Sequence, residues 1–220
     1  MNPKTLFGDK IISSLSYSND EIIMDIMTLH GIGRFNLDCT YSKGVFWKNL
    51  PQPEYKSDLY PKSDDIIKAS SDNLPFKDET MSSIMFDPPF IITGKGYRDN
   101  KEGSSIMGKR FEGYENFCQL KNHYYGTLKE TYRILVSGGL LVFKCQDVVS
   151  SGKNHFTHCL VMQMAMNIGF YPKDLFILAS KSRINSFNGD TWKKQYHARK
   201  YHSYFWVFEK KICKVDYSYD

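Results

Sequence analysis

The chain has 220 residues, 41% of them apolar and 24% charged, a composition that supports a buried core and excludes a disordered chain. Its longest apolar runs, such as Leu140–Phe143 and Tyr204–Phe208, fall far short of the roughly 18 residues that a membrane helix needs. Met1-Asn2-Pro3-Lys4 opens no apolar signal segment, so a cytoplasmic protein without a membrane span is expected, folded as one domain over 1–220.

The net charge is +5, but its placement is uneven. Between Lys181 and Lys214 nine Lys or Arg face two acids, Asp190 and Glu209, whereas the rest holds 20 basic and 22 acidic residues. Trp192, Tyr196, His197 and Tyr201 are interleaved with this basic stretch, a mixture that suits a polyanion such as nucleic acid. The five cysteines, Cys39, Cys118, Cys145, Cys159 and Cys213, form no C-x-x-C pair, which speaks against a disulfide framework or a zinc site. Cys145 and Cys159 read as core positions.

In chain order, Asp20–His30 has helical spacing of apolar residues, with Asn19 or Asp20 as cap and Gly31 as stop; residues 1–33 thus form an N-terminal helical segment. Arg34–Leu37 reads as a short strand running into Asp38. Cys39–Gly44 is a polar turn, and Val45–Leu50 a short helix stopped by Pro51 and Pro53. Tyr55–Asp58 is predicted as a strand, Asp64–Lys68 as a short helix, and Ser82–Phe86 as a strand terminated by Pro88 and Pro89. Residues 91–113 read as a mobile loop, glycine-rich and charged from Thr93 onward. Tyr114–Leu135 returns to helical spacing, Gly138-Gly139 makes a turn, and Leu140–Phe143 is an apolar strand buried on both faces. A helix over Phe156–Ile168 ends at Gly169, and Leu175–Ala179 and Tyr204–Glu209 supply the last strands. This alternation predicts an α/β fold with a mostly parallel central sheet and helices on both faces. Such sheets bind ligands beyond the carboxyl ends of their strands, where Asp38, Asp58, Ser71-Asp72 and Asp87 would sit.

Asp87-Pro88-Pro89-Phe90 is the most specific feature. A conjugated exocyclic amine is a poor nucleophile because its lone pair is delocalised into the ring. A carboxylate and a proline carbonyl that each accept one of its N–H groups would localise that pair and steady the developing positive charge. An aromatic side chain would hold the ring by stacking.

This motif resembles the D-P-P-[YFW] signature of class I S-adenosylmethionine-dependent amino-methyltransferases, above all the small DNA adenine-N6 and cytosine-N4 enzymes of phage or mobile-element type. The resemblance implies a Rossmann-like fold with an antiparallel last strand and S-adenosylmethionine as cofactor. It implies catalytic roles for Asp87, Pro88, Pro89 and Phe90, and extrusion of a duplex base into the site. Asp38-Cys39-Thr40-Tyr41-Ser42-Lys43-Gly44 resembles the family's acid and glycine-rich turn, with Ser42 where a glycine is usual and Thr40 where an aromatic is usual. The implied cofactor contacts are therefore Asp38, Thr40, Tyr41, Ser42 and Gly44, with Asp58 for the ribose hydroxyls and Asp72, Asn73 and Leu74 beside the adenine. Glu130–Leu141 and His202–Lys210 resemble the Gly-Gly turn with its central strand, and the last strand, of the same family.

For the substrate, the resemblance favours DNA, with adenine N6 ahead of cytosine N4 because the motif opens with Asp. Residues 181–201 would contact it through Lys181, Arg183, Lys193, Lys194, Arg199 and Lys200, positioning phosphates without naming a sequence. Small recognition elements imply a short site, loose specificity, a homodimer, or a specificity partner that supplies readout. RNA is the alternative substrate, and a catalytically silent, nucleic-acid-binding methyltransferase-like subunit the alternative role. The six histidines, His30, His123, His155, His158, His197 and His202, form no metal pattern and read as packing or surface residues. Gly94-Lys95-Gly96 lacks the spacing of a phosphate loop.

Overall fold

A computed structural model describes residues 11–92, 113–180, 196–198 and 200–211. Ten strands and three α-helices are described: β1 (Leu15–Ser16), α1 (Asn19–His30), β2 (Leu37–Asp38), β3 (Tyr55–Asp58), β4 (Ile67–Lys68) and β5 (Met81–Phe86) come first. They are followed by α2 (Phe117–Ile134), β6 (Leu135–Cys145), β7 (Val148–Ser150), β8 (Lys153–His155), α3 (Thr157–Ile168), β9 (Phe170–Ala179) and β10 (His202–Lys210). A 3-10 turn, Val45–Trp47, lies between β2 and β3. The expected loop over 91–113 falls almost wholly outside the described residues.

Eight strands form one sheet in the order β1-β9-β10-β6-β5-β2-β3-β4. The neighbours from β4 to β6 run parallel, as do β1 and β9, while β10 runs antiparallel to both β6 and β9. This is the expected Rossmann-like arrangement, a mostly parallel sheet with an antiparallel last strand. From β2 the chain moves outward to β3 and β4, then crosses back to β5 on the other side of β2. The order therefore reverses at the β2–β5 pair, and the crevice beyond those two carboxyl ends is where such sheets take ligands.

Alternate residues of the central strands feed two separate cores. Ile84, Phe86, Leu141, Phe143, Trp206 and Phe208 pack with α2 and α3 on one face. Met85, Leu140, Val142, Phe205 and Val207 pack with Ile22, Ile23, Ile26 and Met27 of α1 on the other. Burial on both faces explains why β5 and β6 read as nearly continuous apolar runs.

Several elements differ from the sequence reading. The cap of α1 is Ser18, whose side-chain oxygen accepts the Glu21 N–H at 3.3 Å, not Asn19 or Asp20. Asp64–Lys68 is not a helix: Ile67 and Lys68 pair in parallel with Ser57 and Asp58 as the edge strand β4. Gly138-Gly139 does not end the segment, because β6 runs unbroken from Leu135 with a register shift opposite Met81 and Ser83. Gly138 has φ 78, and a side chain at Gly139 would meet the carbonyl oxygens of Val136 and Met81 at 2.9 and 3.2 Å. The two glycines thus absorb a bulge inside a strand. β9 begins at Phe170 rather than Leu175, and β1 and the β7–β8 hairpin were not anticipated. Cys145 is buried as expected, but Cys159 is exposed on α3.

Tyr124 of α2 fills the core between Phe86, Phe143 and Tyr114. Among the described residues its buried hydroxyl has no hydrogen-bond partner, which costs about 1–3 kcal/mol. Tyr124→Phe is therefore expected to leave stability unchanged or raise it by about 1 kcal/mol. Phe143→Ala, in the same cluster, should lose about 3–5 kcal/mol. Urea unfolding of the two variants checks the contrast.

Candidate active site

The carboxyl ends of β2, β3 and β5 bring Asp38, Asp58 and Asp87 to one edge of the sheet. Asp38, at the end of β2, is 2% exposed. Its carboxylate accepts the Trp47 indole N–H at 2.5 Å, the Thr40 amide at 2.7 Å and the Thr40 hydroxyl at 3.2 Å. Thr40 turns back in its own right: its hydroxyl oxygen accepts the Asp87 amide N–H at 2.8 Å. The turn after β2 and the Asp87 corner after β5 are thereby joined through one residue. Burial pushes the Asp38 carboxyl up to about 7, against the pull of the Trp47 and Thr40 hydrogen bonds, with the nearby Asp87 charge pushing the same way.

Within the turn, Ser42 has φ 52 and Gly44 φ 66. Ser42 donates its amide to Asp58 Oδ2 at 2.8 Å, and Tyr60 donates to Asp58 Oδ1 at 2.8 Å. Asp58 thus fixes the turn as well as ending β3. Gly44 has no room for a side chain because the Tyr41 ring lies against it. Tyr41 in turn hydrogen-bonds Gln52 at 2.6 Å, and Lys56 Nζ lies 5.0 Å from its ring centroid.

Asp87 is partly accessible, at 23% side-chain exposure, Pro88 is buried, and Pro89 and Phe90 are half-buried. The Asp87 carboxylate is ion-paired with Lys144, whose Nζ lies 3.1 Å from Oδ2. Lys144, on β6, is 9% exposed. Its ammonium also donates to Asn19 Oδ1 at 3.3 Å and lies 5.2 Å from the ring centroids of both Phe46 and Phe205. Neither Lys144 nor Trp47 was singled out from the sequence. Lys144 ends the apolar run Leu140–Phe143, and the sequence alone gives no sign that it is buried.

Asp72 and Asn73 are exposed and Leu74 is buried. Ser70 donates its hydroxyl to the Asp72 carboxylate. A side chain at Gly126 would come within 2.9 Å of Asp72 Cβ, so the glycine inside α2 marks a close approach to this loop. The Leu74 amide donates to Glu130 at 2.8 Å, and Arg133 joins Glu130 to Asp78 and to the Phe76 and Leu74 carbonyls. The Arg133 hydrogen bonds hold the Glu130 carboxyl below its usual value. Beside Asp72, Ser71 contacts His123 and Thr127, each at 2.9 Å, and His123 contacts the Tyr114 hydroxyl at 2.6 Å. Burial lowers the His123 value, opposed by Asp72. By its contacts, Asp72 lies against α2, beside Gly126 and His123.

Of the expected nucleic-acid contacts, Lys181, Arg183, Lys193, Lys194 and Arg199 lie outside the described residues. Lys200 is half-buried, its ammonium 5.6 Å from the Phe156 ring centroid. Among the described residues no group of His, Cys, Asp and Glu could hold a metal ion, and no helix is long and apolar enough to cross a membrane.

The state of Asp38 gives a test of this geometry. Unfolded, the carboxyl releases its proton near its ordinary value of 3.8, whereas folded it keeps the proton to about 7. The native state therefore binds more protons through that window, and this group's contribution to stability falls as pH rises across it. Asp38→Asn should flatten the decline of stability from about pH 4 to 7 relative to the parent. Identical slopes in denaturant titrations of the two proteins would contradict the assignment.

No protein-family model matches the chain, and no curated protein is similar to it. Among solved structures, it is similar to a protein assigned as a DNA modification methylase from Thermus thermophilus, in a complex with S-adenosyl-L-methionine, at 17% identity and a TM-score of 0.41, over 66% of this chain and 53% of that one. PvuII DNA methyltransferase, cytosine-N4-specific, gives 18% and 0.45 over 66% and 48%. An S-adenosylmethionine-dependent methyltransferase from Thermotoga maritima gives 17% and 0.44 over 80% and 81%. The chain spans about half the length of the first two proteins. Likeness of this degree identifies neither a family nor an activity, and the architecture stands on the strand order itself.

Proposed function

We propose that this chain transfers a methyl group from S-adenosylmethionine to the exocyclic amine of a nucleobase in DNA, with adenine N6 the favoured acceptor. The observation that carries the reading is the position of Asp87-Pro88-Pro89-Phe90. The motif leaves β5 at the switch point of the sheet, partly accessible, and is hydrogen-bonded through Thr40 to the turn after β2.

The residues around that turn fit the cofactor. The left-handed Ser42 and Gly44 shape a backbone cradle, and a β-carbon at Gly44 would crowd the Tyr41 ring. Asp58, at the end of β3, offers acceptors for a ribose, and the exposed Asp72 and Asn73 offer polar groups for an amine-bearing ring. When bound, S-adenosylmethionine supplies a methyl carbon made electrophilic by its sulfonium.

The chain's own residues do the rest. Asp87 and the Pro88 carbonyl accept the two N–H groups of the target amine, which localises its lone pair and stabilises the positive charge as it develops. Phe90 stacks on the base. Lys144 holds one carboxylate oxygen of Asp87, and among the described residues Oδ1 has no hydrogen bond of its own, leaving it for the amine. A duplex base must be extruded to reach this corner, at a cost of a few kcal/mol. The basic segment 181–201 supplies phosphate contacts that position the polymer. A second copy of the chain or a partner would add sequence readout.

Asp87→Ala is expected to lower transfer by about 10²–10³-fold with cofactor affinity nearly unchanged, whereas Asp58→Ala weakens the cofactor first. Calorimetry with S-adenosylmethionine and tritiated-methyl transfer to duplex DNA separate the two effects. Full activity of Asp87→Ala would refute the assigned chemistry. Absence of any heat of cofactor binding would favour the catalytically silent role. Nucleoside mass spectrometry of DNA and RNA from cells expressing the chain names the polymer and the methylated atom, and label in RNA alone would move the acceptor to RNA.

Lys144→Met should reduce transfer by about a hundredfold through misplacement of Asp87, again with cofactor affinity retained, and Lys144→Arg should recover part of it. A Met variant as active as the parent would remove Lys144 from the site.

A further inference from the structure

A second group of reactive side chains lies outside the candidate active site, where β6 ends and α3 begins. Asp147 follows β6 and is 3% exposed. Its Oδ1 lies 2.7 Å from His158 Nδ1 and accepts the His158 backbone N–H at 3.3 Å. Its Oδ2 accepts the Tyr204 hydroxyl at 3.5 Å. The His158 ring is stacked on Tyr204, with centroids 4.0 Å apart and planes at 17°. Trp206 donates its indole N–H to the His158 carbonyl at 3.1 Å. The imidazole is therefore held at its edge, its face and its backbone. With Nδ1–H given to a carboxylate, the ring is left with Nε2 as its acceptor, and Nε2 lies 3.2 Å from Cys159 Sγ. Cys159 is exposed.

Nucleophile, base and orienting carboxylate are thus all within contact distance, the arrangement that activates a thiol. Nothing in the packing of the fold requires it, since Cys159 is not a core residue. We propose that Cys159 is a nucleophilic thiol, with His158 as its base and Asp147 as the group that orients the base, and that it exchanges with low-molecular-weight disulfides. The thiol proton passes to His158 Nε2, and the sulfur attacks one sulfur of the disulfide. A new S–S bond forms as the old one breaks, and the departing thiolate takes the proton from the imidazolium. The product is a mixed disulfide on Cys159, and no further oxidant is consumed.

The chain carries its own control. Cys118 is also exposed, but its sulfur contacts the Asn122 side chain at 3.9 Å and, among the described residues, no imidazole. Cys39 and Cys145 are buried. The reduced full-length protein, incubated with glutathione disulfide at neutral pH and digested without reduction, reports the rate at each cysteine by mass spectrometry. Cys159 is expected to form its mixed disulfide roughly tenfold faster than Cys118. His158→Gln should bring Cys159 down to the rate of Cys118, which itself stays unchanged. Equal rates at the two sites in the parent would overturn the proposal, as would a His158→Gln variant that reacts at the parental rate. Modification of Cys39 or Cys145 would mark unfolding of the variant, and the parental ratio of Cys159 to Cys118 then decides alone.

Discussion

A carboxylate buried at the point where the strand order reverses organises this site. Asp38 is nearly inaccessible, and an unpartnered acid there would carry a large desolvation cost. Its donors come from the chain that immediately follows it: the Thr40 amide and hydroxyl and the Trp47 indole. Satisfying the acid therefore folds the turn back over the end of β2. Because Thr40 also accepts from the Asp87 amide, the same requirement sets the distance between that turn and the proline corner. Two loops 47 positions apart in the chain become one assembly through a single threonine hydroxyl.

The charge on the far side of that assembly is balanced in the same manner. Asp87 meets Lys144, a lysine with almost no contact with water, steadied by Asn19 at the start of α1 and by two aromatic faces. A buried ion pair is weak evidence for stability, since desolvating both partners can cancel their attraction. Its clearer consequence is geometric: a carboxylate with one oxygen tied has a defined second oxygen. The pair also connects β6 and α1 to the proline corner after β5.

What the sequence made legible followed from local rules. The long amphipathic period of α2, Gly31 and Gly169 with positive φ at helix ends, and the paired prolines after β5 are all encoded by neighbours in the chain. The failures had non-local causes. Asp64-Asp65 before Ile66-Ile67 looks like a capped helix start, and only pairing with Ser57 and Asp58 makes Ile67–Lys68 a strand. Lys144 ends an apolar run and so reads as the strand's wet end. Its burial depends on an acid 57 positions away. Cys159 sits on an apolar-looking helix, yet it falls on the outward side of α3. The mostly parallel sheet and the acids at its carboxyl edge were accessible from pattern, while the order of the strands and the electrostatic partners on that edge were not.

Ser42 shows how the turn after β2 is held. A side chain in the left-handed region costs roughly 1–2 kcal/mol relative to a relaxed conformation. Serine is not among the residues that visit it routinely. Ser42 is nevertheless held at φ 52, with its amide on Asp58 and with Tyr41 bonded to the Ser57 carbonyl beside it. Glu79 at φ 55 and Ser151 at φ 51, the latter in the turn of the β7–β8 hairpin, take the same conformation, so the contacts of Ser42 rather than its φ set it apart. Strain of this kind persists where surrounding contacts over-determine it. A serine held in this conformation by Asp58 keeps the turn after β2 joined to the end of β3.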